Sequence, residues 1–191
     1  MGNLTVVEHV TLDGVMQAPA RADEDERDGF PHGGWGIPGN DEVMASEMGK
    51  RMGGGGAILL GRRTYEDLHA VWPRRKDNPY TEVLNRTRKY VVSRTLREPL
   101  PWQNSVLVHG AEAVAGIKER EEGLTVHGSG ELVRSLARLG LVDEYLLLTH
   151  PVVLGTGRRL FAGFAERLRL VDAVTTTTGV VIATYRKQGD A

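Results

Sequence analysis

Cysteine is missing from all 191 residues. That one absence excludes disulfides, thiolate nucleophiles and cysteine-bearing zinc sites together, and it fits a reducing compartment. Long hydrophobic runs are missing too: nothing approaches the ~20 apolar residues that span a bilayer. The start, Met1-Gly2-Asn3-Leu4-Thr5-Val6-Val7, lacks a basic segment followed by a signal-type apolar run. Charge of one sign is not in excess. With 24 Lys+Arg against 25 Asp+Glu the net charge is -1, so no global field recruits nucleic acid or an anionic membrane. The histidines His9, His69, His109, His127 and His150 show no metal-ligand spacing, so no metal is expected. The expectation is a soluble, cytoplasmic protein, one domain over residues 1–191, long enough to close its own core.

Glycine, by contrast, is plentiful, and its placement organises the chain. Leu124-Thr125-Val126-His127 reads as a short buried strand running into Gly128-Ser129-Gly130 and then a helix. Leu132, Val133, Leu136, Ala137 and Leu139 fall at helical spacing, and Gly140 sits where a C-terminal cap belongs. A strand, a glycine turn and a helix leave backbone N–H groups pointing out of the first helical turn, where an anion can sit. Taken alone, Gly-Ser-Gly is equally an ordinary tight turn.

Other elements follow in order. Thr5–Val10 predicts an opening strand with Val6, Val7 and Val10 inward, ending at Thr11-Leu12-Asp13-Gly14. Residues 17–40 form a long glycine- and proline-rich loop carrying Phe30, His32 and Trp35, a composition that favours a structured cover over disorder. Asn40 or Asp41 caps a helix to about Met52, with Val43, Met44, Met48 and Met52 as its stripe, and Gly53 to Gly56 end it. Ala57–Leu60 is a buried strand entering the helix that starts at Gly61-Arg62-Arg63-Thr64. Lys89–Val92 is a strand leaving at Ser93-Arg94, Ser105–Val108 another meeting Gly110, and Ala111–Glu121 a helix. Glu144–Leu148 is a strand and Pro151–Leu154 a short edge piece. Residues 167–178 and 180–187 are two long strands joined near Gly179. Strands alternating with helices, then giving way to β-structure, predict an α/β fold. Its sheet is mostly parallel, with helices on both faces and an antiparallel C-terminal hairpin.

In such a sheet ligands bind outside the carboxyl ends of the strands. Three exits carry chemistry suited to a polyanion: Gly61-Arg62-Arg63-Thr64, Ser93-Arg94 and Gly128-Ser129-Gly130. Guanidinium forks match phosphate oxygens bidentately. A diphosphate on the glycine turn with a further phosphate between arginines is what a dinucleotide bearing a 2′-phosphate needs. Two lookalikes fail. Gly56 to Arg63 imitates a P-loop without its lysine, and no Rossmann G-x-G-x-x-G with a distal acid is present.

These motifs resemble a known family. Val126-His127-Gly128-Ser129-Gly130-Glu131-Leu132, continuing through Gly140-Leu141-Val142-Asp143-Glu144 to Pro151-Val152-Val153-Leu154-Gly155-Thr156-Gly157, is similar to the C-terminal reductase domain of riboflavin biosynthesis, a relative of dihydrofolate reductase. Gly61 to Glu66, Val91-Val92-Ser93-Arg94 and Thr11-Leu12-Asp13-Gly14 resemble motifs of the same superfamily, from Leu4 to about Tyr185. The resemblance implies a dihydrofolate-reductase-like fold and NADPH as cofactor. It implies that Gly61, Arg62, Arg63 and Thr64 bind near the 2′-phosphate and the pyrophosphate, and that Ser93 and Arg94 hold the 2′-phosphate. Gly128, Ser129, Gly130, Glu131 and Leu132 would line the diphosphate, although Glu131 brings a carboxylate close to it. The zinc deaminase half of the bifunctional riboflavin enzymes needs cysteines and is absent here.

Reduction of a C=N or C=O group also needs a proton source. Asp13, at the first strand exit, and Asp41, opening the first helix, are the candidates; Asp-Gly is also common turn chemistry and Asp41 also a natural N-cap. Trp35 is the candidate aromatic wall over a flat substrate, or the closure of the core beneath its loop. Trp72 and Trp102 are assigned to packing. The expected function is NADPH-dependent reduction of a pterin- or pyrimidine-type heterocycle by a homodimer acting on a small molecule. The alternative is an NADP(H)-binding module without efficient chemistry.

Overall fold

The computed structural model describes residues 2–52, 55–76, 78 and 80–188. Gly53 and Gly54, expected to close the first helix, and the Met52 side chain lie outside the described residues. Eight strands form one mixed sheet, mostly parallel with antiparallel C-terminal strands, together with helices. In chain order the strands are β1 (Asn3–Thr11), β2 (Ala57–Gly61), β3 (Lys89–Val92), β4 (Ser105–Val108), β5 (Gly123–His127), β6 (Glu144–His150), β7 (Leu168–Thr175) and β8 (Val181–Lys187). The helices are α1 (Glu42–Met52), α2 (Arg62–Val71), α3 (Tyr80–Arg86), α4 (Val114–Arg120) and α5 (Gly130–Arg138). The sheet order is β4-β3-β2-β5-β1-β6-β8-β7. Among the described residues no helix is long and apolar enough to cross a membrane.

Contacts divide the chain into two compact units. One joins the chain's start, through Thr5, to Gly56–Val142; the other joins Val6–Gly55 to the chain from Asp143 on.

In the first unit β4, β3, β2 and β5 are successive neighbours, every pair parallel. Strand β2 is the apolar run Ala57-Ile58-Leu59-Leu60, all four buried, as a strand covered on both sides must be. β5 alternates instead, burying Leu124 and Val126. Ile58, Leu60 and Val91 pack with Tyr65, Leu84 and Trp102. Trp102 is thus the packing residue expected, and Trp72 adds to the same cluster. Helix α5 buries Leu132, Val133, Leu136 and Ala137. Leu139 does not join them. It is the C-cap residue and is exposed, because the helix stops there. Gly140 (φ +69) then closes a Schellman cap: its N–H donates to Ala137 O at 2.9 Å and Leu141 N–H donates to Leu136 O at 3.0 Å. The expected helix over 111–121 is a 3₁₀ turn at Ala111–Ala113 leading into α4.

In the second unit β6 and β7 both pair antiparallel with β8, so the predicted hairpin β7–β8 is present with β7 outermost. Val7, Met44, Leu146, Leu148, Val180 and Ile182 form its core, against which Met48 packs. Pro151–Leu154 is not a strand; Leu12 N–H donates to Val152 O at 2.9 Å and the segment is otherwise irregular. Its proline removes one ladder donor and Gly155 (φ +73) turns the chain away.

Candidate functional site

Parallel pairing decides where the three exits lie. The registers Gly61↔Val92, Val92↔Val108 and Leu59↔Val126 bring the carboxyl ends of β2, β3, β4 and β5 to one edge of the first unit. Arg62-Arg63-Thr64, Ser93-Arg94 and Gly128-Ser129-Gly130 therefore leave neighbouring strands side by side. The exit of β4, Val108-His109-Gly110, is a fourth member that sequence reasoning left without a role.

Two helices begin at this edge without a side-chain cap. Gly61 is the N-cap residue of α2 and Ser129 that of α5, and neither caps its helix through a side chain. In α5 the first intrahelical bond is Val133 N–H to Ser129 O at 3.0 Å, so the amides of Gly130, Glu131 and Leu132 precede it. Ser129 holds φ 66, ψ 45, a left-handed conformation uncommon for a residue with a Cβ. It follows Gly128, also left-handed at φ +56.

A clasp between the β2 and β5 exits holds that turn. The Ser129 hydroxyl accepts from Gly61 N–H at 2.9 Å and donates to Thr64 Oγ1 at 2.8 Å. There is no slack in it: a Cβ on Gly128 would meet Thr64 Cγ2 at 3.2 Å, and one on Gly61 would meet Ser129 Oγ at 3.3 Å. The hydroxyls of Ser129 and Thr64 thus fix the distance between two helix N-termini. Ser93 is a similar case. It is buried, and its Oγ accepts from the amides of Thr95 and Leu96, both at 3.1 Å, shaping the turn that presents Arg94.

The guanidiniums point outward and each meets a carboxylate. Arg62 reaches Glu66 at 3.2 Å, Arg63 reaches Glu131 at 3.3 Å, and Arg94 lies 3.9 Å from Glu112. His127, last residue of β5, is held neutral: burial pushes its pKa down to about 4.

Asp13, Trp35 and Asp41 belong to the second unit. Asp13 accepts from Thr11 Oγ1 (2.6 Å) and Leu154 N–H (3.2 Å) on one oxygen and from Gly155 N–H (2.9 Å) on the other. Arg159 stands 3.5 Å from that second oxygen. These bonds, the threonine's first, hold the carboxyl at about 2, so it is ionised at neutral pH. Asp41 caps α1 by accepting Met44 N–H at 2.7 Å, while its second oxygen accepts from Thr177 N–H and Oγ1 at 2.7 and 2.6 Å. Its pKa is lowered, chiefly by the threonine. Asp13 thus ties the first strand exit to Leu154 and Gly155, and Asp41 ties the start of α1 to Thr177.

Trp35 is half-buried. Its indole N–H donates to Gln17 O at 2.6 Å, its ring meets the His150 ring edge-on, and it packs on Val15, Ala18 and Phe30. It closes a small core beneath its loop. Gln17 was not anticipated. Buried, it donates to Asp25 O and Arg27 O and accepts from Arg158 N–H, tying the long loop to residue 158. A lone polar residue in a loop gives no sequence signal of such a role.

Comparisons with known proteins fit this geometry. A family model described as the RibD C-terminal domain matches residues 3–182. An uncharacterized protein of Bacillus subtilis (strain 168), YyaP, is 33% identical over 140 residues, covering 69% of this chain and 74% of that one. A putative riboflavin biosynthesis protein from Shewanella sp. PV-4 superposes with a TM-score of 0.67 at 18% identity, over 98% of this chain and 99% of that one. A pyrimidine reductase-like protein from Corynebacterium diphtheriae gives 0.69 at 14% identity, over 99% and 93%. RibD of Acinetobacter baumannii gives 0.64 at 15% identity; the match covers 98% of this chain and 58% of that longer one. At such identities the structures establish the fold, which is dihydrofolate-reductase-like. The chain belongs to the RibD C-terminal domain family, a reductase-like family of the riboflavin pathway.

Proposed function

We propose that this protein is an NADPH-dependent reductase of a small planar nitrogen heterocycle, pterin- or pyrimidine-like. One observation carries the reading: the ends of β3, β2 and β5 are adjacent, so Arg94, Arg62 with Arg63, and Gly128-Ser129-Gly130 share an edge. The names of the relatives, a pyrimidine reductase-like protein and a putative riboflavin biosynthesis protein among them, point to the same substrate class.

In this reading the first-turn amides of α2 and α5 receive the diphosphate, since uncapped helix N-termini favour anions. Arg62 and Arg94 take the 2′-phosphate. Ser129, Thr64 and Ser93 act by fixing the turns. NADPH, when bound, supplies the hydride. Trp35, held by Gln17 and His150, offers a fixed aromatic face to a flat ring. Leu170 and Val171 are exposed on the outermost strand β7, an edge on which a second copy would pair to give a homodimer.

The engagement of both Asp13 and Asp41 favours a second reading, an NADP(H)-binding module without efficient chemistry. Stopped-flow loss of NADPH absorbance against pterin and pyrimidine panels separates the two. Turnover on any member supports the reductase; tight binding with no turnover supports the module. Unchanged NADPH affinity in the Arg62→Ala/Arg94→Ala double variant would remove both.

A further inference from the structure

The three arginines of the phosphate edge all touch carboxylates, but not for the same reason. Arg62 and Glu66 are one helical turn apart on α2, a pairing that helix geometry produces by itself. The other two pairs cross between exits. Arg63 on α2 meets Glu131 on α5, and Arg94 after β3 meets Glu112 after β4. Only the strand order brings these residues together.

The second pair also depends on a glycine. Gly110 holds φ +86, and a Cβ there would sit 2.3 Å from Glu112 Oε2. The Glu112 carboxylate therefore folds back over Gly110 into the space a side chain would fill, and so comes within 3.9 Å of Arg94. All four side chains are more than half exposed, so both pairs are weak and open to exchange with a competing anion.

We propose that Glu112 and Glu131 are specificity-determining residues of this edge. Each occupies the guanidinium that a phosphate would take, so a phosphorylated ligand binds by displacing a carboxylate from an arginine. The inference rests on the cofactor reading above and sharpens it. Glu112 acts at Arg94, where the 2′-phosphate binds, and a dianionic phosphate displaces a monoanionic carboxylate. A bare ribose hydroxyl has no such contest. Glu112 therefore tunes NADPH against NADH. Glu131 stands at the first turn of α5, on the diphosphate both nucleotides share, and weakens both alike.

Fluorescence titration at low salt with NADPH, NADH and adenosine 2′,5′-bisphosphate tests this in wild type, Glu112→Gln and Glu131→Gln. Glu112→Gln should tighten NADPH and the bisphosphate by about three- to fivefold, the scale of one exposed pair, while leaving NADH nearly unchanged. Glu131→Gln should tighten NADPH and NADH together by roughly twofold, which leaves their ratio unaltered. Unchanged or weaker NADPH binding in Glu112→Gln, or an equal gain for NADH, overturns the proposal. Arg94→Ala separates its failure from that of the cofactor reading. If that variant loses NADPH affinity while Glu112→Gln changes nothing, the cofactor reading stands and this inference falls. If wild type binds neither nucleotide, both fall.

Discussion

The strand exits of residues 56–142 and the Asp13–Asp41 region of the second unit both looked chemical in sequence, yet they use their polar groups differently. At the exits the structural hydrogen bonds are made by small hydroxyls, Ser129, Thr64 and Ser93, while the guanidiniums stay at the surface in weak pairs. In the second unit the charged groups themselves do the structural work: Asp13 ties the Thr11–Gly14 turn to Leu154 and Gly155, and Asp41 ties α1 to Thr177. Charge left available marks a place for a ligand. Charge enclosed by backbone amides marks a joint. The same residue type is read as function or as scaffold according to what fills its hydrogen bonds.

The widest test of that contrast sets the two regions against each other. Arg62→Ala/Arg94→Ala removes two charge-assisted contacts to phosphate and should weaken NADPH by roughly 100-fold, with the melting temperature unchanged. Asp13→Ala should do the reverse: a clearly lower melting temperature and an NADPH dissociation constant close to wild type. Calorimetry and nucleotide titration on the same preparations check both. A double variant that melts early, or an Asp13 variant that binds poorly at full stability, would blur the distinction.

A smaller effect comes from the turn between those regimes. Gly128→Ala places a Cβ on a left-handed residue and against Thr64 Cγ2, so it should cost about 1–2 kcal/mol in urea unfolding. Because the strain falls on the Ser129 clasp, NADPH binding should weaken as well, by roughly tenfold. Loss of stability alone, with binding intact, would mean that the clasp does not set the spacing of the helix N-termini.

That clasp also shows what was legible in the sequence and what was not. The β2–α2 and β5–α5 junctions were readable because an apolar run stops at glycine and restarts at helical spacing, two local signals in agreement. The strand exits were readable as exits for the same reason. What Ser129 does was not. Its partners Gly61 and Thr64 are far away in the chain and become neighbours only because β5 inserts beside β2, an order that no local pattern states. Glu112 was missed on the same ground, since it matters only once β4 lies beside β3. Leu139 failed for a local reason: it continues the apolar spacing one residue past the point where the helix ends. In the second unit Asp13 and Asp41 stand beside turns, and acids near turns are the ones backbone amides capture, a partnership that no local pattern shows.

Acid titration separates the regions by pH. His127 has a folded pKa of about 4 against 6.5 unfolded, so the unfolded chain binds the proton more readily. The histidine's contribution to stability is complete above 6.5 and is lost as pH drops toward 4. His150, lowered by burial in the second unit, carries the same sign. His127→Gln should therefore reduce that slope without abolishing it. Asp13 acts lower: its folded value of about 2 lies below the ordinary 3.8, so its contribution is present above 3.8 and is lost as pH falls toward 2. Asp13→Asn should lower stability above 3.8 and change the slope of the curve only in that lower window. Urea midpoints in steps of half a pH unit resolve the two.

The smallest effect concerns a cation in the first unit that no ligand reaches. Lys89 opens β3, at the end of the strand opposite Arg94, and is fully buried. Its ammonium donates to Leu84 O at 2.6 Å and Thr87 O at 2.7 Å and lies 4.6 Å from the centre of the Trp102 ring. It ties down the C-terminal end of α3. Burial outweighs these partners and pushes its pKa down to about 8 from 10.5. Between those values the unfolded chain holds the proton that the folded chain has released, so stability should rise with pH from 8 toward 10.5. Lys89→Met removes that rise. Near pH 7 it trades a desolvated charge for two carbonyls without a donor, and the terms oppose each other to within about 1 kcal/mol. NADPH affinity should not move. A Lys89→Met protein with the wild-type alkaline slope would show that the lysine is solvated in solution.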